Sequence, residues 1–304
     1  MRTAIGLFAA TLTAASLSAW GAAGPAVDVG FSPCDGMICM PVTLSDGEIH
    51  SLLLDTGNVN SWLSVKTARA LGNRLEPVMS GDKPIPGVYR IGTQTVAVGG
   101  EALSARFLAL DEAATGTLPV SVEGALSYTA FKDRIVEIDY AGHRLHLGYA
   151  APAQRSAPHA ALKLMTFGSH GPPIVTIEGL SIDGRAFTAQ YDTCFTGTVV
   201  VYDDAIERLG LRGAATRGSP RYFPYTDGGV VMNAATSGRI ALGTAVLTDA
   251  AATIYFPAAG KNPVHQPDGL FEATVGNALF ARSIVTLDFH SMTVSVRPSS
   301  RPPG

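Results

Sequence analysis

The sequence predicts an all-β protein of two lobes, related by a pseudo-twofold axis, each resembling a β-barrel and carrying one short helix. Its 304 residues suit about two domains. It contains 33 Gly and 19 Pro, a composition typical of many short strands joined by turns. Runs of β-branched residues such as 174–177 and 284–287 read as strands. An internal duplication divides these strands into two similar halves.

The duplication keeps its register over a long stretch. Asp46-Gly47 and Asp183-Gly184 lie 137 residues apart, and so do Asp55-Thr56 and Asp192-Thr193. Both Asp-Gly pairs are hairpin-turn signals between strands. Each half then continues with a helical segment followed by Gly and ends on an Ile-Val-x-aliphatic-Asp-aromatic strand. The helical segments are 65–71 and 203–209, and the closing strands are 135–140 and 284–289.

The duplicated halves set the domain bounds. We expect lobes at 27–150 and 159–298, joined by an Ala-, Pro- and Ser-rich linker at 151–158. Residues 1–23 have the pattern of a signal peptide, with one Arg, an apolar stretch and small residues at its end. The apolar stretch is short for a membrane anchor, the alternative, which needs about 20 residues. We therefore expect an exported protein, periplasmic or secreted.

Charge and cysteine content exclude several classes of function. The net charge is −3 and no basic run occurs, so neither nucleic acid nor a membrane surface is an expected partner. Cys34 and Cys39 flank an Asp-Gly turn and can form a disulfide in an oxidising compartment, two free thiols being the alternative. The three Cys have no His at zinc-ligand spacing, and His143 and His146 fit a hairpin. We expect no metal and no cofactor.

The duplicated aspartates predict the chemistry. Asp55 and Asp192 each follow a strand, and a lone carboxylate near an apolar core is costly. Equivalent positions in two related lobes predict a pair that meets on the pseudo-twofold axis. Two such carboxyl groups share one proton. The ionised member can activate a water as a base while the protonated member donates to a carbonyl, which is general acid–base hydrolysis.

The motifs around both aspartates resemble those of a known family. Leu53-Leu54-Asp55-Thr56-Gly57 is similar to the hydrophobic-hydrophobic-D-T-G loop of pepsin-like and retropepsin-like aspartic proteases. Asp192-Thr193-Cys194-Phe195-Thr196-Gly197 is similar to the D-T-G-F-T-G variant of bacterial relatives. The segments Thr274-Val275-Gly276 and Ala125-Leu126-Ser127 match the family's downstream hydrophobic-hydrophobic-Gly.

This resemblance implies an aspartic endopeptidase of the bilobal acid-protease fold, acting on a peptide or protein substrate. Thr56 and Thr193 would bridge the lobes behind the carboxyl pair. A flap would lie within 81–98, with Tyr89 as its aromatic unless that residue is an ordinary strand residue. Because one chain carries both lobes, we expect a monomer.

The motifs depart from the family pattern at three positions. Cys194 stands where Gly57 has its counterpart, Ser127 replaces the Gly of the first downstream segment, and Asn58 stands where Ser or Thr is common. A side chain at position 194 is expected to crowd the water site or to need an unfavourable φ. The alternative function is therefore a catalytically impaired protein that binds peptides or a protein partner in the cleft. Retention of both aspartates favours the peptidase.

Overall fold

The computed structural model describes residues 27–115, 121–148, 159–166, 173–223, 230–248, 252–257 and 271–300. The predicted signal peptide at 1–23 and the predicted linker at 151–158 lie outside these ranges. The strands of the first half are β1 (Val27–Gly30), β2 (Ser32–Cys34), β3 (Met37–Thr43), β4 (Ile49–Asp55), β5 (Ser61–Ser64), β6 (Glu76–Ser80), β7 (Lys83–Val98), β8 (Glu101–Leu110), β9 (Gly124–Ser127), β10 (Ile135–Asp139) and β11 (Arg144–Gly148).

The second half repeats this strand-rich arrangement. Its strands are β12 (His159–Thr166), β13 (Pro173–Ile182), β14 (Arg185–Tyr191), β15 (Val199–Val201), β16 (Ser219–Phe223), β17 (Val230–Ser237), β18 (Ile240–Leu242), β19 (Ala245–Val246), β20 (Ala252–Pro257), β21 (Ala273–Val275), β22 (Ser283–Asp288) and β23 (Thr293–Pro298). The helices are α1 (Val65–Ala70), α2 (Glu112–Thr115), α3 (Asp203–Arg208) and α4 (Arg212–Arg217), with 3₁₀ turns at Tyr128–Phe131 and Asn277–Phe280.

The described strands form two sheets. The first lobe has an eight-stranded sheet in the order β2-β3-β4-β9-β5-β8-β7-β6. The other sheet contains 15 strands and runs β1-β11-β10-β22-β23-β12 before it continues through β13 into the second lobe. A single cluster of buried apolar side chains extends through both lobes. The prediction of a two-lobed, all-β architecture is confirmed.

The two closing strands pair with each other across the pseudo-twofold axis. Strand β10 runs antiparallel to β22, with Ile135 opposite Asp288 and Asp139 opposite Ile284. Glu137 and Thr286, which occupy the same place in the two repeats, are opposite each other at the centre. The Thr286 hydroxyl donates to Glu137 Oε2 at 3.3 Å. Equivalent strands of the two repeats thus pair with each other and connect the two lobes.

Helices α1 and α3 form where the repeat predicted them. Helix α1 is capped by Ser64, whose hydroxyl oxygen accepts a hydrogen bond from the Thr67 backbone N–H at 3.0 Å. Helix α3 lacks a side-chain cap but has two Asp in its first turn, which favour the helix electrostatically. Helices α2 and α4 were not predicted. Since α4 buries none of its residues, it has no apolar periodicity that sequence analysis could detect.

No helix among the described residues combines the length and the apolar character that a membrane crossing requires.

Candidate active site

The two motif aspartates lie at the ends of equivalent strands. Strand β4 ends at Asp55 and pairs in parallel with β9, which places Ser127 beside Asp55. Strand β14 ends one residue before Asp192 and pairs in parallel with β21. The Asp192 backbone N–H donates to the Val275 carbonyl at 3.0 Å. Strands β9 and β21 therefore fix the points at which Asp55 and Asp192 leave the sheet.

The neighbouring threonines join the two loops reciprocally. The Thr56 N–H donates to Thr193 Oγ1, and the Thr193 N–H donates to Thr56 Oγ1, both at 3.0 Å. The Thr56 hydroxyl donates to the Tyr191 carbonyl at 2.8 Å, and the Thr193 hydroxyl donates to the Leu54 carbonyl. Both threonines are at most 2% exposed. Because each backbone N–H uses the other lobe's hydroxyl, neither loop can move without leaving a buried donor unpaired.

This arrangement brings the two carboxyl groups together. The Gly57 N–H donates to Asp55 Oδ1 at 3.0 Å, and the Cys194 N–H donates to Asp192 Oδ1 at 2.8 Å. One carboxylate oxygen of each lies within 4.8 Å of the other and of Cys194 Sγ. Asp55 is 7% exposed, whereas Asp192 and Cys194 are partly accessible. The pair can thus be reached from outside while one member is almost wholly desolvated.

Burial and mutual repulsion govern the protonation of the pair. Burial, together with the charge of Asp192, raises the pKa of Asp55 to about 8. Burial also raises the pKa of Asp192, against two backbone N–H groups that lower it. Among the described residues, neither carboxylate forms an ion pair. Asp55, whose pKa is raised to about 8, therefore holds a proton at neutral pH.

The third motif position differs between the lobes. A Cβ added to Gly57 would lie 2.4 Å from Asp192 Cγ, so no side chain fits there without moving that carboxylate. Cys194 carries a side chain at the matching place, and its thiol lies 3.8 Å from the Leu54 carbonyl and hydrogen-bonds Asp55. Burial and both carboxylates raise the pKa of the Cys194 thiol. The thiol is therefore protonated beside the pair.

The backbone around Cys194 does not need glycine. Neither Gly57 nor Cys194 has a positive φ. The expectation of an unfavourable φ at Cys194 is therefore wrong, because this turn keeps both residues in regions open to any L-residue. What Cys194 changes is the occupied volume next to Asp55.

Asn58 and Ser127 support the first loop in different ways. The backbone N–H of Asn58 hydrogen-bonds Asp55, while its side-chain oxygen accepts from the Asn60 N–H at 3.1 Å. The Ser127 hydroxyl donates to the Val59 carbonyl at 3.0 Å. In the second lobe, a Cβ on Gly276 would lie 2.1 Å from the Phe195 carbonyl oxygen, whereas buried Ser127 is accommodated. The first lobe thus replaces close backbone packing by a hydroxyl bond.

A buried polar network under the Asp192 loop was not predicted. Asn277 Nδ2 donates to the Thr193 carbonyl at 2.7 Å and to the Gly36 carbonyl at 2.8 Å. The Tyr140 hydroxyl donates to Asn277 Oδ1 at 2.9 Å and also bonds the Tyr191 hydroxyl. The network joins three distant segments of the chain, which no local pattern reveals. A buried Asn next to the Gly of the downstream motif was the one available signal.

Cys34 and Cys39 form a disulfide in the hairpin of β2 and β3. The turn residues Asp35 and Gly36 have φ of 49° and 87°, the combination that suits a tight two-residue hairpin turn. Cys39 belongs to a small apolar cluster with Met37, Leu53 and Trp62, against which Cys34 and Cys194 also pack. The hairpin thus supports the Asp192 loop through Gly36 and lies against the same cluster as the free thiol.

The predicted flap segment forms a hairpin of β6 and β7. Tyr89 lies opposite Pro77 on one side and Ala109 on the other. Its side chain is partly buried and packs against the main core. Near the hairpin tip, Met79 and Ile85 are exposed by 52% and 39%. Met79 and Ile85, and not Tyr89, are thus the exposed large hydrophobic side chains of this hairpin.

Comparison with solved structures identifies the fold. The aspartic proteinase from Irpex lacteus matches with a TM-score of 0.50 and 12% identity over 91% of this chain and 98% of that one. The basic 7S globulin from soybean matches with a TM-score of 0.49 and 9% identity over 90% and 95%. A comparison with family models and one with curated protein sequences found no match. The chain has the two-lobed pepsin-like fold, and at these identities the likeness extends to the fold alone.

Proposed function

We propose that this protein is an aspartic endopeptidase, in which Asp55 and Asp192 activate a water for attack on a peptide bond. The observation that carries the proposal is the approach of two carboxyl groups from equivalent loops, held by the reciprocal bonds of Thr56 and Thr193. Ionised Asp192 takes a proton from the water, and protonated Asp55 donates to the peptide carbonyl. No covalent intermediate is needed.

The raised pKa values support this division of roles. A pair works only while it holds one proton, so activity requires a pH between the two macroscopic pKa values of the pair. Since the pKa of Asp55 is raised to about 8, activity should persist to near-neutral pH.

A second candidate function is favoured by Cys194. Its thiol donates a hydrogen bond to Asp55 and so lowers the pKa of the carboxyl that should hold a proton and donate it to a substrate. In this case the cleft binds a peptide or a protein partner without hydrolysis. The proposed substrates or ligands are peptides in both cases, and one chain suffices to build the cleft.

Export is a separate part of the proposal. Residues 1–23 have the pattern of a signal peptide, and the disulfide of Cys34 and Cys39 suits an oxidising compartment. Fractionation of cells that express the full chain, with N-terminal sequencing of the product, tests this part. Recovery of the protein from the cytoplasm with an intact N-terminus would refute it.

Hydrolysis of a quenched peptide library from pH 3 to 9 tests the main proposal. The wild type is compared with Asp55→Asn, Asp192→Asn and, as a matched control, Asp203→Asn, which removes an exposed carboxylate on α3. Each site variant should lose about 100-fold or more in rate, since general acid–base catalysis contributes 10²–10⁴-fold. Asp203→Asn should cleave like the wild type.

Cys194→Gly separates the two candidates. Cleavage by the wild type that both Asp substitutions abolish establishes the peptidase. Absence of cleavage by the folded wild type, with activity gained in Cys194→Gly, would establish the binding protein. Absence of cleavage by both would refute catalysis by this pair.

A further inference from the structure

We propose that Asp55, Asp192 and Cys194 together form a binding site for a thiophilic divalent cation of the zinc class, and that the bound ion blocks the peptidase. Binding is independent of the proposed function, whereas inhibition rests on it. The sequence alone disfavours zinc, because the chain has only three Cys and no His at ligand spacing to them. The fold supplies the ligands from two loops 137 residues apart.

The geometry of the three side chains fits such an ion. Each offers one ligand atom, and these atoms lie within 4.8 Å of one another. Tetrahedral zinc with Zn–O of about 2.1 Å and Zn–S of about 2.3 Å separates its ligand atoms by about 3.4–3.6 Å. The upper bound of 4.8 Å exceeds this spacing by about 1.3 Å, so binding would draw the ligand atoms together.

The chemistry of the ligand set selects the class of metal. Two carboxylates alone suit hard ions such as Mg²⁺, but a thiolate favours zinc-class ions. Three protein ligands leave a fourth position for water, as in open zinc sites. Asp192 and Cys194 are partly accessible, so an ion can enter from the surface.

The surroundings orient the carboxylates without occupying them fully. The backbone N–H groups of Gly57 and Cys194 each hold one oxygen of a carboxylate, an arrangement that fixes ligands in metal sites. No ion pair to Asp55 or Asp192 occurs in the described part of the chain, so a cation would meet no competing positive partner. The ion would displace the thiol proton and the proton held by Asp55, both of which pass to solvent, and would form a metal–sulfur bond without oxidation or reduction.

Inhibition follows from the position of the ion. The water of the proposed hydrolysis must lie between Asp55 and Asp192. A bound cation takes that place and uses the carboxylate that serves as the base. Gly57 has no counterpart to the sulfur, since a side chain there would collide with Asp192. The thiol of Cys194 is therefore the feature that turns a water site into a metal site.

The binding test uses full-length purified protein that has been stripped of metal with a chelator. Zn²⁺ is titrated against a chromophoric chelator, and Co²⁺ serves as an optical probe for a thiolate charge-transfer band. We expect one ion per chain and a band in the wild type. Cys194→Ser and Asp192→Asn should each weaken binding by about 100-fold or more, because losing a ligand exceeds the 10–100-fold cost of losing an outer partner.

Controls keep the test decisive. Glu48→Gln removes an exposed carboxylate in the turn between β3 and β4, at the other end of β4 from Asp55. This variant should bind Zn²⁺ like the wild type. Circular dichroism verifies folding, and Cys194→Gly replaces Cys194→Ser if the latter does not fold. Failure of the wild type to bind Zn²⁺ more tightly than Cys194→Ser, or absence of the thiolate band, would overturn the proposal.

Peptide cleavage with and without Zn²⁺ distinguishes this proposal from the proposed function. Inhibition of the wild type by Zn²⁺ but not Mg²⁺, with Cys194→Gly about 100-fold less sensitive, supports it. If Zn²⁺ does not change the rate of cleavage, the proposed inhibition is wrong, whereas the proposed peptidase function still stands. Zinc binding by a protein that cleaves nothing supports the site while the peptidase fails.

Discussion

The buried proton of the carboxyl pair should make folding stability depend on pH. The perturbation is Asp55→Asn, which keeps the shape of the side chain and removes its titration. The pKa of Asp55 is about 8 in the fold against about 3.9 in an unfolded chain. Between these values the folded protein binds one more proton than the unfolded protein. The free energy of unfolding therefore falls as pH rises, by at most about 1.4 kcal/mol per unit.

The size of this change in unfolding free energy follows from the titration of Asp55. Between pH 5 and pH 8 the wild type should lose about 4 kcal/mol relative to Asp55→Asn. The contribution of Asp55 is fully present below about pH 4 and is lost as pH approaches 8. Its 7% exposure means that solvent screening reduces this effect little.

Urea unfolding of both proteins at pH 5, 6, 7 and 8 measures this difference. His50 also has a raised pKa, from its contacts with Asp46 and Glu123, but it is present in both proteins and cancels. Asp203→Asn, which removes an exposed carboxylate, should follow the wild type. Parallel pH dependences of wild type and Asp55→Asn would refute the assignment of a shared, buried proton.

Two further substitutions test the loops around the pair. Thr56→Val should lower the free energy of unfolding by about 1–3 kcal/mol, because the buried Thr193 N–H loses its acceptor. Thr56→Ser keeps the hydroxyl oxygen and should keep most of the stability. Equal effects of the two substitutions in urea unfolding would contradict this prediction. Gly57→Ala should reduce peptide cleavage about 100-fold, since its Cβ falls 2.4 Å from Asp192 Cγ. Cys194→Ala, at the matching position, should not reduce it, and similar losses in both would show that the two positions are equivalent.

The sequence predicted the features that occur in both copies of the repeat. Equal spacing of Asp55 and Asp192 within two repeats placed both at strand ends, and the pairing of β10 with β22 turns that repetition into a pseudo-twofold axis. Helices α1 and α3 followed from the same repetition. These features depend on local patterns that occur twice, so each copy supports the interpretation of the other.

Features that depend on one copy alone escaped prediction. Asn277 joins Thr193, Gly36 and Tyr140, which lie far apart in the chain, so no spacing rule identifies it. The three proposed metal ligands share no sequence spacing for the same reason, because they meet only after the lobes pair. The backbone at Cys194 was misjudged because the sequence does not report φ.

The difference between Gly57 and Cys194 bears on how a symmetric site acquires two roles. Asp55 and Asp192 begin as equivalents, each held by an N–H from the third motif residue. The thiol of Cys194 donates a hydrogen bond to Asp55 alone, whereas the space next to Gly57 is occupied by the Asp192 carboxylate. Burial and the neighbouring charge raise the pKa of Asp55, so the proton resides there. The residue that departs from the family pattern therefore weakens the asymmetry that acid–base hydrolysis needs, because its hydrogen bond lowers the pKa of the carboxyl that holds the proton, and the same sulfur is the third ligand of the proposed cation site.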